Sequence, residues 1–311
     1  MKKTLRHCMF ILATAALFAA CGDKDNANDP SDSPSGGGDN PGSSTYAFSG
    51  RKLAKAVVHY EHQYGNTWTY DLSWEGDLLS EITEYRGDWG DSRRFIVAYD
   101  GNRPIAINGY WEDSLFASVT YTYSGEHVTR VLYMEPDSDF PNRQVDSCRI
   151  WDYTYTDGKI TKIVETDYNI IQYERITNHH PDFVESDAQS LLYHTWDGNN
   201  VATVRDGKNR EGSFEYSDKR PAFCPPMGLF GIELNDLISG NPAGWGYVHG
   251  YNGMFGAIWS KNIVTKMTYR NVDDYYNLSW SYDGDYPTKL VWTITDEGRS
   301  STFSVTYTYV D

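Results

Sequence analysis

The sequence predicts an all-β chain: a large antiparallel meander of hairpins, rolled into a barrel or drawn into a strongly curved sheet, with one irregular insert. Three observations predict it. Residues alternate with period two, so that Val119, Tyr121 and Tyr123 interleave with Thr120 and Thr122, and Val305, Tyr307 and Tyr309 with Thr306 and Thr308. Aromatic residues reach 15 % of the chain, with 25 Tyr, 12 Phe and 10 Trp, and such rings suit a pleated surface. A unit also recurs: an aromatic residue leads into a Gly-bearing turn, and apolar residues follow five and eight positions on.

The first element is an export signal over residues 1–20. Lys2, Lys3 and Arg6 form its positive start, and the apolar run Met9 to Phe18 is too short to span a bilayer. Phe18-Ala19-Ala20-Cys21 resembles a lipobox, which makes Cys21 the expected lipidated N-terminus and the membrane the expected partner of that lipid. Leu is commoner where Phe18 stands. Residues 21–45 then read as a flexible tether of Gly, Asp, Asn, Pro and Ser, unable to bury enough surface to offset its ordering entropy. Asp23-Lys24-Asp25 resembles the short charged tags of Bacteroidetes surface lipoproteins, which implies an outer-membrane address, on the outer face rather than the periplasmic one.

Residues 46–311 form a single β-rich domain. Its units start at Trp74, Tyr99, Tyr123, Tyr155, Trp196 and Tyr282. Trp74 leads to Gly76, Leu79 and Ile82; Tyr123 to Gly125, Val128 and Val131; Trp196 to Gly198, Val201 and Val204. In the units of Tyr99 and Tyr282 a proline, Pro104 or Pro287, takes the fifth place. Asp100-Gly101, Asp157-Gly158, Asp197-Gly198 and Asp283-Gly284 predict tight hairpins with type I′ turns. Uneven intervals between units exclude a strict solenoid.

The unit resembles the tyrosine-aspartate hairpin repeats of bacterial polymorphic-toxin shells. A wider resemblance rests on Phe214-Glu215-Tyr216-Ser217-Asp218-Lys219-Arg220-Pro221-Ala222-Phe223, then Ser260-Lys261-Asn262-Ile263-Val264-Thr265-Lys266, then Tyr282-Asp283-Gly284-Asp285-Tyr286-Pro287-Thr288-Lys289. With the lipobox, this order resembles an uncharacterised lipoprotein family of Bacteroidetes with a porin-like β-fold. That resemblance implies a large antiparallel sheet and brings no activity.

The insert, residues 221–260, interrupts the meander. Gly alternates with large rings around Trp245, Tyr247 and Tyr251. These three are the candidate ligand-binding residues, because neighbouring Gly leaves the rings unhindered. Otherwise the segment plugs one end of the sheet and its rings are buried. Trp68, Trp89 and Trp111 lie near turns and are further candidates for stacking on sugars or peptides, set against ordinary cross-strand packing.

Charge sets limits. Lys and Arg number 27 against 43 Asp and Glu, a net charge of −16, which argues against nucleic acid as a partner. Mean hydropathy of −0.60 and strands such as 80–85 and 128–134, which show no continuous apolar face, argue against a membrane-spanning barrel. Cys148 and Cys224 can pair in an oxidising compartment or stay buried thiols.

No residue set is expected to be catalytic, and neither a cofactor nor a metal is expected. His179, His180 and Asp182 read as a solvated loop, since adjacent strand residues point to opposite faces. Glu135, Asp137 and Asp139 read as a polar turn. His59 and Glu61 share a strand face that His62 does not. Abundant carboxylates keep a glycosidase pair open without selecting two of them. The leading expectation is a non-enzymatic lipoprotein that binds a glycan or other extracellular polymer. The alternatives are a structural protein docking on a partner protein and a hydrolase with an unrecognised carboxylate pair.

Overall fold

The computed structural model describes residues 50–61, 67–87, 90–135, 147–169, 189–209, 211–223, 260–269, 272–296 and 299–310. Sixteen strands follow one another along the chain: β1 (Lys52–Glu61), β2 (Thr67–Glu75), β3 (Leu78–Arg86), β4 (Asp91–Asp100), β5 (Arg103–Trp111), β6 (Ser114–Ser124), β7 (His127–Glu135) and β8 (Ser147–Thr156) in the first half. The second half holds β9 (Lys159–Asn169), β10 (Gln189–Asp197), β11 (Asn200–Asp206), β12 (Glu211–Tyr216), β13 (Val264–Tyr269), β14 (Val272–Asp283), β15 (Tyr286–Asp296) and β16 (Arg299–Val310). Each strand pairs antiparallel with its neighbours in sequence, and β1 pairs with β16, so the meander closes into a barrel. Of the two outcomes expected from sequence, barrel or curved sheet, closure is the one found.

The expected hairpins form, with one difference in their turns. Positive φ occurs at Gly76, Gly101, Gly125, Gly198 and Gly284 but not at the residue before or after each. The central pair is therefore Gly-X, as in type II′ turns, and not Asp-Gly. Asp157-Gly158 alone among the predicted pairs has positive φ at both residues, 50° and 73°, as type I′ requires. That explains why the unit of Tyr155 is one residue longer before its Gly.

The five-and-eight spacing has a physical cause. Two inward residues three apart break strict alternation unless one extra residue intervenes. At each of these hairpins the register slips by one residue next to the leading aromatic, so that Trp74 pairs with Leu79 and Ser73 with Glu81. Ser80 is the extra residue, a β-bulge that restores parity and turns both Leu79 and Ile82 inward, each 0 % exposed. The bulged residue often bonds back across the ladder: Ser80 Oγ donates to Ser73 O at 3.1 Å, Thr129 Oγ1 to Thr122 O at 3.3 Å, and Thr161 Oγ1 to Thr154 O at 3.3 Å. Proline fits the fifth place because a bulge leaves backbone groups outside the ladder.

Those freed carbonyls are capped by aromatic rings. Trp74 Nε1 donates to Leu53 O at 2.8 Å, Tyr99 OH to Leu79 O at 2.9 Å, and Tyr155 OH to Val128 O at 2.8 Å. Trp196 Nε1 donates to Ile160 O at 2.7 Å, Tyr216 OH to Val201 O at 2.6 Å, and Tyr309 OH to Pro287 O at 2.8 Å. Tyr123 OH reaches Pro104 O in the same way. Every even-numbered strand thus latches onto the odd-numbered strand before it, around the whole barrel. On β14 the latch is Trp280, whose Nε1 donates to Val264 O at 3.0 Å. Sequence spacing pointed to Tyr282 instead, but β14 rises one inward residue higher against β13 than its counterparts do. Tyr155→Phe is expected to lower the unfolding free energy by about 1 kcal/mol, the net worth of one hydrogen bond. A urea midpoint equal to that of the parent protein would show that the Val128 carbonyl is satisfied without the phenol.

The inward face is the core. Val58, Ile82, Ile163, Met267, Leu290 and Trp292 are each 0 % exposed and join one cluster that draws on strands all around the wall. An open sixteen-strand barrel leaves an aqueous channel. Burial on every side means that the lumen at this level is filled with side chains.

The outward face is polar. Lys55 pairs with Asp71 at 3.0 Å, Arg130 with Asp152 at 2.6 Å, and Lys266 with Glu215 at 2.8 Å. Thr195 and Thr203 share a 2.8 Å hydrogen bond. The Arg94 guanidinium, hydrogen-bonded to Glu81, holds that carboxyl below the usual range. A lipid-embedded barrel carries an apolar band outside and polar groups inside. This wall has the opposite polarity and is built to face water. Among the described residues, no helix is long and apolar enough to cross a membrane.

Candidate functional site

The barrel has two unlike ends. At the near end, where β1 begins, the latch ring sits above buried Ala222, Phe223 and Ile263. Ala222 and Phe223 open the 221–260 insert and Ile263 follows it, while Ser260 Oγ, at its end, accepts a bond from Val201 N at 2.9 Å. Arg51 lies over the rings of Tyr286 and Tyr309, at 5.5 and 5.3 Å, and pairs with Asp283 at 2.8 Å. The described side chains at that end are tied to one another by these contacts.

At the far end the inward parity of β2 to β5 runs out of apolar residues. Past Tyr70 on β2 comes Trp68, past Ile82 on β3 come Glu84 and Arg86, past Phe95 on β4 comes Arg93, and past Gly109 on β5 comes Trp111. The register places them side by side: Trp68 opposite Arg86, Glu84 opposite Arg93, and Arg93 opposite Trp111. The result is one strip of two indoles, two guanidinia and a carboxylate. Trp68 and Trp111 stand three strands apart, about 14 Å at ordinary strand spacing.

Burial grades across this strip. Glu84 is 0 % exposed and accepts a 2.7 Å bond from Arg86 Nε. Trp68 is half-buried against the core. Arg93 is partly exposed, and Trp111 is 45 % exposed. Tyr85 and Leu115, on the outer side of the same rim, are 44 % and 43 % exposed. Large exposed apolar groups gathered at one rim mark a contact surface better than scattered ones do.

Local backbone explains how Trp111 is presented. Glu112 and Asp113 form the β5–β6 turn with φ of 46° and 65°, a type I′ turn built without glycine. L-residues adopt this conformation at a cost of roughly 1–2 kcal/mol each, so the turn holds strain at the rim. Beneath it, a Cβ on Gly109 would stand 3.0 Å from Phe116 Cζ, so the glycine gives that ring its room. Phe116 packs edge-on against Phe95 at 5.7 Å, and Arg93 lies over its ring at 5.3 Å. Arg93 is thus held by an aromatic shelf rather than by an acid.

Convergent carboxylates are not what this strip offers. Glu84 faces Arg86, while Glu165 and Asp206 stand on β9 and β11, across the barrel in strand order. Asp206 Oδ1 accepts Lys208 N at 2.9 Å and so shapes its own turn. No metal-holding cluster of His, Cys, Asp or Glu occurs among the described residues.

Of the residues singled out from sequence, Trp68 and Trp111 come together on this strip. Trp89, Trp245, Tyr247, Tyr251, Cys21, Cys224, His62, Asp137, Asp139, His179, His180 and Asp182 lie outside the described residues. Cys148 lies on β8, opposite Met134. His59 shares a 3.1 Å hydrogen bond with Thr67. Sequence reasoning missed Glu84, Arg86 and Arg93. The available signal was charge at inward parity: two residues past Ile82, four past Ile82, and two before Phe95.

No protein-family model and no curated protein matches the chain. Among solved structures, the fold is similar to a porin-like protein from Bacteroides uniformis, with a TM-score of 0.52 at 10 % identity, over 83 % of this chain and 96 % of that one. A porin-like protein from Bacteroides vulgatus aligns at a TM-score of 0.30 and 11 % identity, over 84 % and 99 % of the two chains. The first of these likenesses concerns the barrel fold.

Proposed function

We propose that the chain is a lipoprotein of the outer membrane, displayed at the cell surface, that binds a glycan or other extracellular polymer without chemically altering it. The observation that carries this reading is Trp111, 45 % exposed on the rim of a barrel otherwise filled with its own side chains. A flat ring at the end of a rigid wall suits stacking against the apolar face of a sugar, and Trp is a frequent hot-spot residue. The water-facing wall agrees with a protein held beside the membrane by lipid on Cys21 rather than inserted in it. The likeness to a Bacteroides porin-like fold and the signal-like N-terminus support the same address.

Trp111→Ala is expected to weaken polymer binding by about 30-fold, the size of a hot-spot loss, while the melting temperature stays within a degree or two. Isothermal titration of the full chain against a glycan panel, paired with thermal melting, checks both. Unchanged affinity for a bound glycan would move the site elsewhere, the insert rings Trp245, Tyr247 and Tyr251 being the next to test. Cys21→Ser is expected to release the chain from the membrane fraction, and its retention at parental levels would remove the anchor from the proposal. Tyr85 and Leu115, exposed on the outer side of this rim, favour a second reading, a docking face for a partner protein. A stoichiometric partner lost with Tyr85→Ser and Leu115→Ser would establish that one.

A further inference from the structure

We infer that the ligand of the far-end strip is an acidic glycan, one whose sugars carry carboxylate or sulfate, with Arg93 gripping the anion and Trp111 stacking on the ring beside it. The inference rests on the polymer-binding reading and adds the chemical class. Its ground is the position of Arg93 opposite the exposed Trp111. Arg86 is paired with Glu84 at 2.7 Å, Arg94 with Glu81 at 3.1 Å, and Arg130 with Asp152 at 2.6 Å. Arg93 forms no ion pair among the described residues; Arg103 and Arg205 share that property, over Tyr123 at 4.8 Å and Tyr193 at 4.9 Å, but Arg93 is the one set opposite the exposed Trp111. Glu84, its cross-strand neighbour, gives its Oε1 to Arg86 instead.

The guanidinium is nevertheless fixed. Phe116 carries it at 5.3 Å, Phe95 holds Phe116 at 5.7 Å, and the absent side chain of Gly109 makes room for that stack. A cation pre-positioned on an aromatic shelf loses little side-chain freedom on binding, which favours affinity. Its planar fork matches a carboxylate or sulfate bidentately. Trp111 faces Arg93 across the β4–β5 ladder, and opposed side chains there begin about 5 Å apart. One sugar can therefore stack on the indole while its acidic substituent meets the guanidinium. The net charge of −16 disfavours nonspecific attraction of polyanions, so binding of an acidic ligand needs a specific cationic contact.

The test compares ligands that differ in charge alone. The full chain is titrated with oligogalacturonate, with its neutral methyl ester, with a sulfated galactan and with the desulfated galactan. Binding of at least one acidic form at least tenfold tighter than its neutral counterpart is expected, and the pair that shows it separates carboxylate from sulfate recognition. Arg93→Gln should erase that difference; Trp111→Ala should weaken acidic and neutral forms alike. Arg93→Lys, which keeps the charge and loses the fork, should retain part of the preference. Equal binding of acidic and neutral forms overturns the inference and leaves polymer binding standing. Absence of binding to these and to a broad glycan panel overturns both.

Discussion

Raising the pH from 10 to 12 is expected to unfold the barrel cooperatively. Burial pushes the phenols of Tyr99, Tyr121, Tyr123, Tyr153, Tyr155, Tyr216 and Tyr309 above the ordinary tyrosine range. In the unfolded chain tyrosine ionises near pH ~10. Above that value the unfolded state has released protons that the folded state still holds. Stability is therefore full below pH ~10 and falls as pH rises toward the folded values. Tyr153, 6 % exposed, is pushed upward chiefly by burial and contributes in this direction. The latch phenols are only partly buried and add smaller, water-screened amounts. All of them draw on the roughly 5–15 kcal/mol that holds an ordinary domain. Following tyrosinate absorbance and far-UV circular dichroism through one titration checks this. If all 25 tyrosines ionise near pH ~10 while the β-sheet signal persists, the argument fails.

Arg86→Met is expected to destabilise the protein by about 3–5 kcal/mol, because it strips an ionic partner from a carboxylate with no exposure to water. Glu84→Gln added to Arg86→Met should recover more than half of that loss, since the second change removes the stranded charge. Denaturant unfolding of the two single variants and the double variant measures the coupling directly. A loss below 1 kcal/mol for Arg86→Met would mean that the pair is incidental to the strip. The expected coupling also explains why the carboxylate is tolerated at an inward position. It anchors Arg86 next to Trp68 and stiffens the floor on which Arg93 and Trp111 stand.

Much of the fold was legible in sequence because one mechanical detail repeats. The spacing from Trp74 to Leu79 and Ile82 encodes a turn, a bulge and the return of the inward face, and Val128 with Val131 or Ile160 with Ile163 repeat it. The aromatic residue was visible as a marker; its work as a donor to a carbonyl on the preceding odd-numbered strand was not, since that needs a third strand. Trp280 and Tyr282 show the limit. Sequence fixes the distance to the turn, whereas the latch depends on the register against β13. Closure was equally hidden, because nothing local in Leu53 or Tyr309 states that they oppose each other. The far-end strip escaped because attention to rings near turns picked out Trp68 and Trp111 singly. Only the register showed that Glu84, Arg86 and Arg93 fill the wall between them.

The seam between β1 and β16 joins residues such as Val58 and Val305. Every other pairing joins strands consecutive in the chain, so hairpins can assemble in the order in which they emerge, most across short loops and β12 with β13 across the 221–260 insert. The seam has no such option. Until residues 302–310 arrive, the growing sheet has two bare flanks, each able to pair with another copy of itself. Loop closure grows only slowly with length, about 0.6 kcal/mol per doubling, so joining the seam costs little once both flanks exist. The hazard lies in the waiting time rather than in the energy. A chain cut short of its last strand would be left permanently in that adhesive state, whereas a chain whose two ends were fused and reopened at the Gly125 turn would move the seam to β6 and β7 without removing the wait.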